Sequence, residues 1–169
     1  MVDTSLLSSC AKAASAAEAR YRIDRTIRPS RAARVVALDK GAEAVVRTVA
    51  ESPWSSARFF TCEVPGAAPA QAGFADVVLR SVDGAESRLS DELTGADVAV
   101  MIATADAGAA AASAIGDACT LRGIMTAGLV LGHGGDARAA VAALRPYARV
   151  LMVTEDETDV SEVLSALRA

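Results

Sequence analysis

The chain has 169 residues, 39 of them alanine, with 52% hydrophobic and only 4% aromatic residues, so a core of small aliphatic groups in a single domain is expected. Lys+Arg 17 against Asp+Glu 21 leaves a net charge of -4, which excludes a surface that holds nucleic acid by being basic all over. No apolar stretch approaches the roughly 20 residues of a membrane helix, the three cysteines form no metal or disulfide pattern, and a single histidine excludes a His-rich metal site.

The N-terminus carries Asp3 and no basic run ahead of an apolar core, so no secretory signal is expected and the protein reads as cytoplasmic. Residues 5–20 place Leu6, Leu7, Cys10, Ala13, Ala14 and Ala17 at helical spacing, which predicts a shallow amphipathic helix that needs a surface to lie on. Residues 20–34 then hold six arginines against the single acid Asp24, and Arg22, Arg25, Arg28, Arg31 and Arg34 recur every third residue as a basic stripe. Such a stripe suits an anionic partner; with Tyr21 its only aromatic, nucleic acid is a weak candidate. This gives an N-terminal helix and arm over residues 1–33 and an α/β domain over 34–169.

From Arg34 short β-branched runs alternate with alanine-rich segments. Strands are predicted at 35–38 and 57–62, separated by a helix at 41–51 that Ser52-Pro53 ends. Residues 64–73 read as an irregular loop. Runs at 75–82 and 86–89 flank Asp83-Gly84, a strong hairpin signal, and Ser90 is expected to cap one helical turn. Residues 97–103 form a continuous apolar run, as in a strand buried on both faces. A helix at 107–122 stopped by Gly123, a strand at 124–131, a helix at 136–147, a strand at 149–154 and a helix at 159–167 complete the pattern. Unbroken alternation with short connections predicts a three-layer, Rossmann-like α/β fold: a mostly parallel sheet with helices on both faces.

Ligands in such folds bind at the carboxyl ends of strands, where helix N-termini offer free N–H groups. Three loops qualify. The first holds Asp39, Lys40 and Gly41, with one glycine where a phosphate cradle wants several. The second runs from Thr104 through Asp106 to Gly108; Thr104 and Gly108 suit an anion, but the Asp106 carboxylate would repel one and is better read as the cap of the following helix. The third, Gly132-His133-Gly134-Gly135-Asp136, leaves the imidazole of His133 and the backbone of Gly134 open to a ligand, with Asp136 capping the next helix. No GxSxG elbow accompanies His133, so no nucleophile arrangement and no catalytic residue is assigned.

The stretch Leu93-Thr-Gly-Ala-Asp-Val-Ala-Val-Met-Ile-Ala-Thr-Ala-Asp-Ala-Gly108, its alanine-rich helix, and Gly123-Ile-Met-Thr-Ala-Gly-Leu-Val-Leu131 resemble the middle of the FtsZ/tubulin GTPase domain. The resemblance continues through Ala142-Ala-Leu-Arg-Pro-Tyr-Ala-Arg-Val-Leu-Met-Val153 and covers residues 34–154. It implies that Thr104, Ala105 and Gly108 fall on phosphate-loop positions. The family's glycine run is replaced by Asp106 and alanines, and its long central helix and second domain have no counterpart, so a degenerate, truncated form without a GTPase cycle is what the resemblance implies. The strand and helix order is also similar to SIS-type sugar-phosphate domains, without their serine-rich loop. Two functions follow as expectations. The first is a non-catalytic module acting through a protein partner or a homo-oligomer. Its rival is a nucleotide or sugar-phosphate binder, or an enzyme, that uses the three loops. The sequence singles out no cofactor.

Overall fold

The computed structural model describes residues 31–63, 77–132, 135 and 137–169. Within them strands β1 (Ala33–Ala37), β2 (Arg58–Glu63), β3 (Val78–Ser81), β4 (Glu86–Arg88), β5 (Val98–Ala103), β6 (Met125–Leu131) and β7 (Val150–Thr154) form one sheet in the order β4-β3-β2-β1-β5-β6-β7. β2, β1, β5, β6 and β7 run parallel, while β3 pairs antiparallel with both β2 and β4. The Rossmann-like α/β reading therefore holds, with the Asp83-Gly84 hairpin as the antiparallel margin. Gly84 supplies its positive φ of 90°.

The helices are α1 (Lys40–Ala50), the single turn α2 (Leu89–Glu92), α3 (Ala109–Arg122) after a 3₁₀ turn (Asp106–Gly108), α4 (Arg138–Leu144) and α5 (Thr158–Leu167). Every residue of β1 and β5 is buried, the outcome expected of apolar runs covered on both sides. On one face Val36, Phe60 and Met101 pack with Leu89 of α2, Ile115 of α3 and Leu144 of α4. On the other Val35, Val100 and Leu129 meet Val45 and Val46 of α1 and Val160 and Leu164 of α5. Burying these aliphatic side chains is worth about 1.5–3 kcal/mol each and is the main force holding the layers together.

Alanine sets the spacing. Ala111, Ala112 and Ala118 are buried along α3, and at Gly116 an added Cβ would lie 2.3 Å from the Tyr147 ring. α3 thus sits close against the segment leading into β7. Gly123 ends it in the left-handed conformation, φ 67°, as its position predicts.

At the amino edge of the sheet, α2 brings Glu92 beneath β1 and β2. Its Oε2 lies 2.7 Å from Arg58 Nη1 and 3.7 Å from Arg34 Nε, and Arg34 Nε donates to the Glu92 carbonyl at 2.8 Å. Burial, then the neighbouring Arg58, lowers the Arg34 pKa, against the opposing pull of Glu92 and Asp97. Arg34, the last member of the arginine stripe, is therefore a structural side chain. The Arg31 N–H donates to the Arg168 carbonyl at 2.9 Å. Ser90 does not cap α2 as expected. The capping position is Arg88, without a side-chain bond, and Ser90 lies inside the turn with its hydroxyl 3.4 Å from the Asp91 carboxylate.

Candidate functional site

In a doubly wound sheet the crevice for a ligand opens where the strand order reverses. Here the chain steps from β1 to β2 in one direction and from β5 through β6 to β7 in the other, so that point lies between β1 and β5. Its walls are the loop leading into α1 and the loop from Thr104 to Gly108, and the structure brings Asp39, Gly41, Thr104 and Gly108 together there.

Asp39 occupies the crevice. It is the N-cap of α1, with extended backbone at φ -149° and ψ 172°, and its Oδ1 accepts the Ala42 N–H at 2.9 Å. The same oxygen accepts the Thr104 hydroxyl at 2.5 Å, while Oδ2 accepts the N–H of Thr104 at 2.7 Å and of Ala105 at 3.1 Å. One carboxylate thus gathers donors from both loops. Burial pushes its pKa up, but the Thr104 hydroxyl and the three backbone N–H groups outweigh it and hold the group below the ordinary carboxylate value of 3.8. The donor set is that of an anion site, and the anion is a side chain of the protein.

The glycines close the site further. A Cβ on Gly41 would stand 2.1 Å from Thr104 Oγ1, and one on Gly108 would stand 2.7 Å from Leu38 Cβ. These residues let loop approach loop, which is a different use from admitting a phosphate. Lys40, the first residue of α1, is exposed beside them.

Asp106 departs from the sequence reading. α3 begins only after the 3₁₀ turn, and its N-cap, Gly108, makes no side-chain bond. Asp106 instead reaches across to α4, where Oδ1 accepts the N–H groups of Ala139 at 2.6 Å and Ala140 at 3.3 Å. The cap position of α4 itself, Ala137, offers no side-chain bond; Asp136, expected in that role, lies outside the described residues. A third carboxylate follows β7. Asp156 accepts the hydroxyl and the N–H of Thr158 at the start of α5, which hold it below the ordinary range, and the Thr154 hydroxyl donates to Asp159. Asp39, Asp106 and Asp156 therefore satisfy N-terminal N–H groups of α1, α4 and α5, and their charge opposes that of a phosphate.

His133 and Gly134 lie outside the described residues, as do Arg22, Arg25 and Arg28. Arg31, bonded to Arg168 at the end of α5, sits at the amino edge. Among the described residues no group of three or more His, Cys, Asp or Glu side chains comes together to hold a metal ion, and no helix is long and apolar enough to cross a membrane. An open groove of about 330 Å³ lies at the amino end of β2, bordered by Trp54, Arg58, Phe59, Val82 and Asp83, at the opposite end of the sheet from Asp39 and Thr104. Sequence reasoning placed Asp39 and Thr104 in the crevice as separate candidates and missed that they bind each other. The available signal was Asp39 standing three residues before Ala42, the spacing of a helix cap.

No protein-family model matches the chain, and no curated protein matches it in sequence. Fold and site define a class: a doubly wound α/β domain whose switch point is filled by its own carboxylate.

Proposed function

We propose that this chain is a non-catalytic Rossmann-like module, similar to a degenerate FtsZ-type domain, that acts through protein contacts. The observation that carries this reading is the bonding of Asp39. Every donor that the α1 N-terminus and the Thr104 loop direct to the carboxylate is taken, and a phosphate entering there would meet a full negative charge. The resemblance to the FtsZ/tubulin domain places its phosphate loop at Thr104 to Gly108, where this chain spends its donors on Asp39. The acidic termini of α4 and α5 favour the same reading.

A thermal-shift panel of nucleotides, sugar phosphates and acyl-CoA compounds tests it. A ligand at about 100 times its dissociation constant would add roughly 2.7 kcal/mol of stability. No compound is expected to raise the melting temperature. A saturable rise that Asp39→Ala alters would overturn the proposal in favour of a small-ligand binder.

A further inference from the structure

The segment that follows β5 is tied in two directions. Thr104 and Ala105 give their N–H groups, and Thr104 its hydroxyl, to Asp39 at the start of α1. The next residue, Asp106, offers its own carboxylate to the N–H groups of Ala139 and Ala140 at the start of α4. α1 packs on one face of the sheet and α4 on the other. Residues 104–106 therefore form a strap over the carboxyl edge, fastened to a helix of each outer layer.

The strap has little slack. Ala105 and Asp106 share a planar peptide unit, the Gly108 N–H returns to the Ala105 carbonyl at 3.4 Å, and the Ala109 N–H returns to the Asp106 carbonyl. Asp106 reaches α4 through a short side chain, with Oδ1 at 2.6 and 3.3 Å from its donors. A backbone displacement of about 1 Å takes such bonds out of range. At the other end Thr104 is wedged against α1, where a Cβ on Gly41 would stand 2.1 Å from its Oγ1. Freeing one anchor lets the segment shift and loosens the other.

We propose that residues 104–106 are a coupling device: the bonds of Asp39 and of Asp106 open and close together, so that the starts of α1 and α4 share one equilibrium between a fastened and a released edge. The coupling is reciprocal by thermodynamic necessity, so an event that displaces α4 also loosens the hold of Asp39 on its donors, and the converse holds equally. A protein docking against α4 would thereby be sensed in the opposite layer without touching it. The device goes beyond the reading of a contact module and stands or falls independently of it.

Amide hydrogen exchange of the full chain, followed by nuclear magnetic resonance, tests this in both directions. In Asp106→Ala the amides of Ala42, Thr104 and Ala105, whose acceptor Asp39 is untouched, are expected to exchange at least about fivefold faster. In Asp39→Asn the same is expected of Ala139 and Ala140, whose acceptor Asp106 is untouched. The Thr158 amide, bonded to Asp156 at the same edge, is expected to stay within about twofold in both variants. Asp106 is exposed, so Asp106→Ala leaves the core intact and that direction decides even if Asp39→Asn does not fold. Urea denaturation of the double variant completes the cycle: its effect on the unfolding constant is expected to be about three- to tenfold smaller than the product of the single effects. Amides that respond only to loss of their own acceptor, a Thr158 amide that accelerates as much as the others, or single effects that multiply to within about twofold would each overturn the inference.

Discussion

Removing the Asp39 carboxylate tests whether it is the anion of the switch point. Asp39→Ala deletes the α1 cap, worth about 1 kcal/mol. It also leaves the Thr104 N–H, the Ala105 N–H and the Thr104 hydroxyl without a charged acceptor, at about 1–3 kcal/mol each before water replaces part of the loss. Because Asp39 is half-buried, water reaches some of these donors, and a net cost of about 3–4 kcal/mol is expected. For a chain of this size that corresponds to a fall in melting temperature of roughly 6–15 °C. Asp39→Asn keeps the shape but offers one oxygen in place of two, and turns an NH₂ group toward two donors, so it is expected to cost about 2–3 kcal/mol. Urea denaturation at pH 7 measures both. Inorganic phosphate is expected to stabilise Asp39→Ala more than the unsubstituted chain, because the emptied donor set is an anion site.

The pH dependence has a definite sign. The folded pKa of Asp39 is depressed, so its contribution is complete above the unfolded value near 3.8 and is lost as pH falls through the lower folded value. The stability gap between the unsubstituted chain and Asp39→Asn should therefore narrow below pH 4. An Asp39→Asn chain as stable as the original at pH 7, with no narrowing in acid, would refute the reasoning.

Three further outcomes are expected. Gly116→Ala in a helix interior ordinarily stabilises by about 1 kcal/mol, but here the new Cβ meets the Tyr147 ring at 2.3 Å, so the sign inverts to a loss of about 1–3 kcal/mol in urea denaturation. Glu92→Ala leaves the Arg34 charge, with its side chain 10% exposed, facing Arg58 without its acid; a loss of about 3–5 kcal/mol is expected, and Arg34→Met in the same chain should recover part of it. Burial, only partly offset by Arg122, pushes the Cys119 thiol up to about 11, so iodoacetamide at pH 8 followed by peptide mapping should find Cys119 unlabelled until denaturant is added.

Periodicity made most of the fold legible. The apolar run ending at Ala103 announced a strand buried on both faces, Gly123 announced the end of α3, and Asp83-Gly84 announced the hairpin. These features are local, written in neighbouring residues. The site was legible only in part because its bonds are not local. Asp39 and Thr104 are 65 residues apart, and Asp106 and Ala139 are 33 apart. A capping carboxylate is read from sequence as serving the helix that follows it, and Asp106 serves a different helix. Likewise Gly41 and Gly108 look like openings for a ligand until the neighbours of their missing Cβ atoms, Thr104 and Leu38, are known. Arg34 belonged to a regular stripe, yet its place in β1 turns it inward to Glu92.

The adjacency of β1 and β5 also bears on how the molecule assembles. Between these neighbours the chain makes an excursion through α1, the β2–β4 segment and α2 before returning to lie beside its starting point. Closing so long a loop costs entropy before the central pairing rewards it. The Asp39 bonds to Thr104 and Ala105 need β5 beside β1, so they can form only after that central pairing. Their loss should hasten unfolding while leaving the refolding rate nearly unchanged, a partition that stopped-flow kinetics of Asp39→Asn would reveal. The carboxylate is in this sense a latch on a completed sheet.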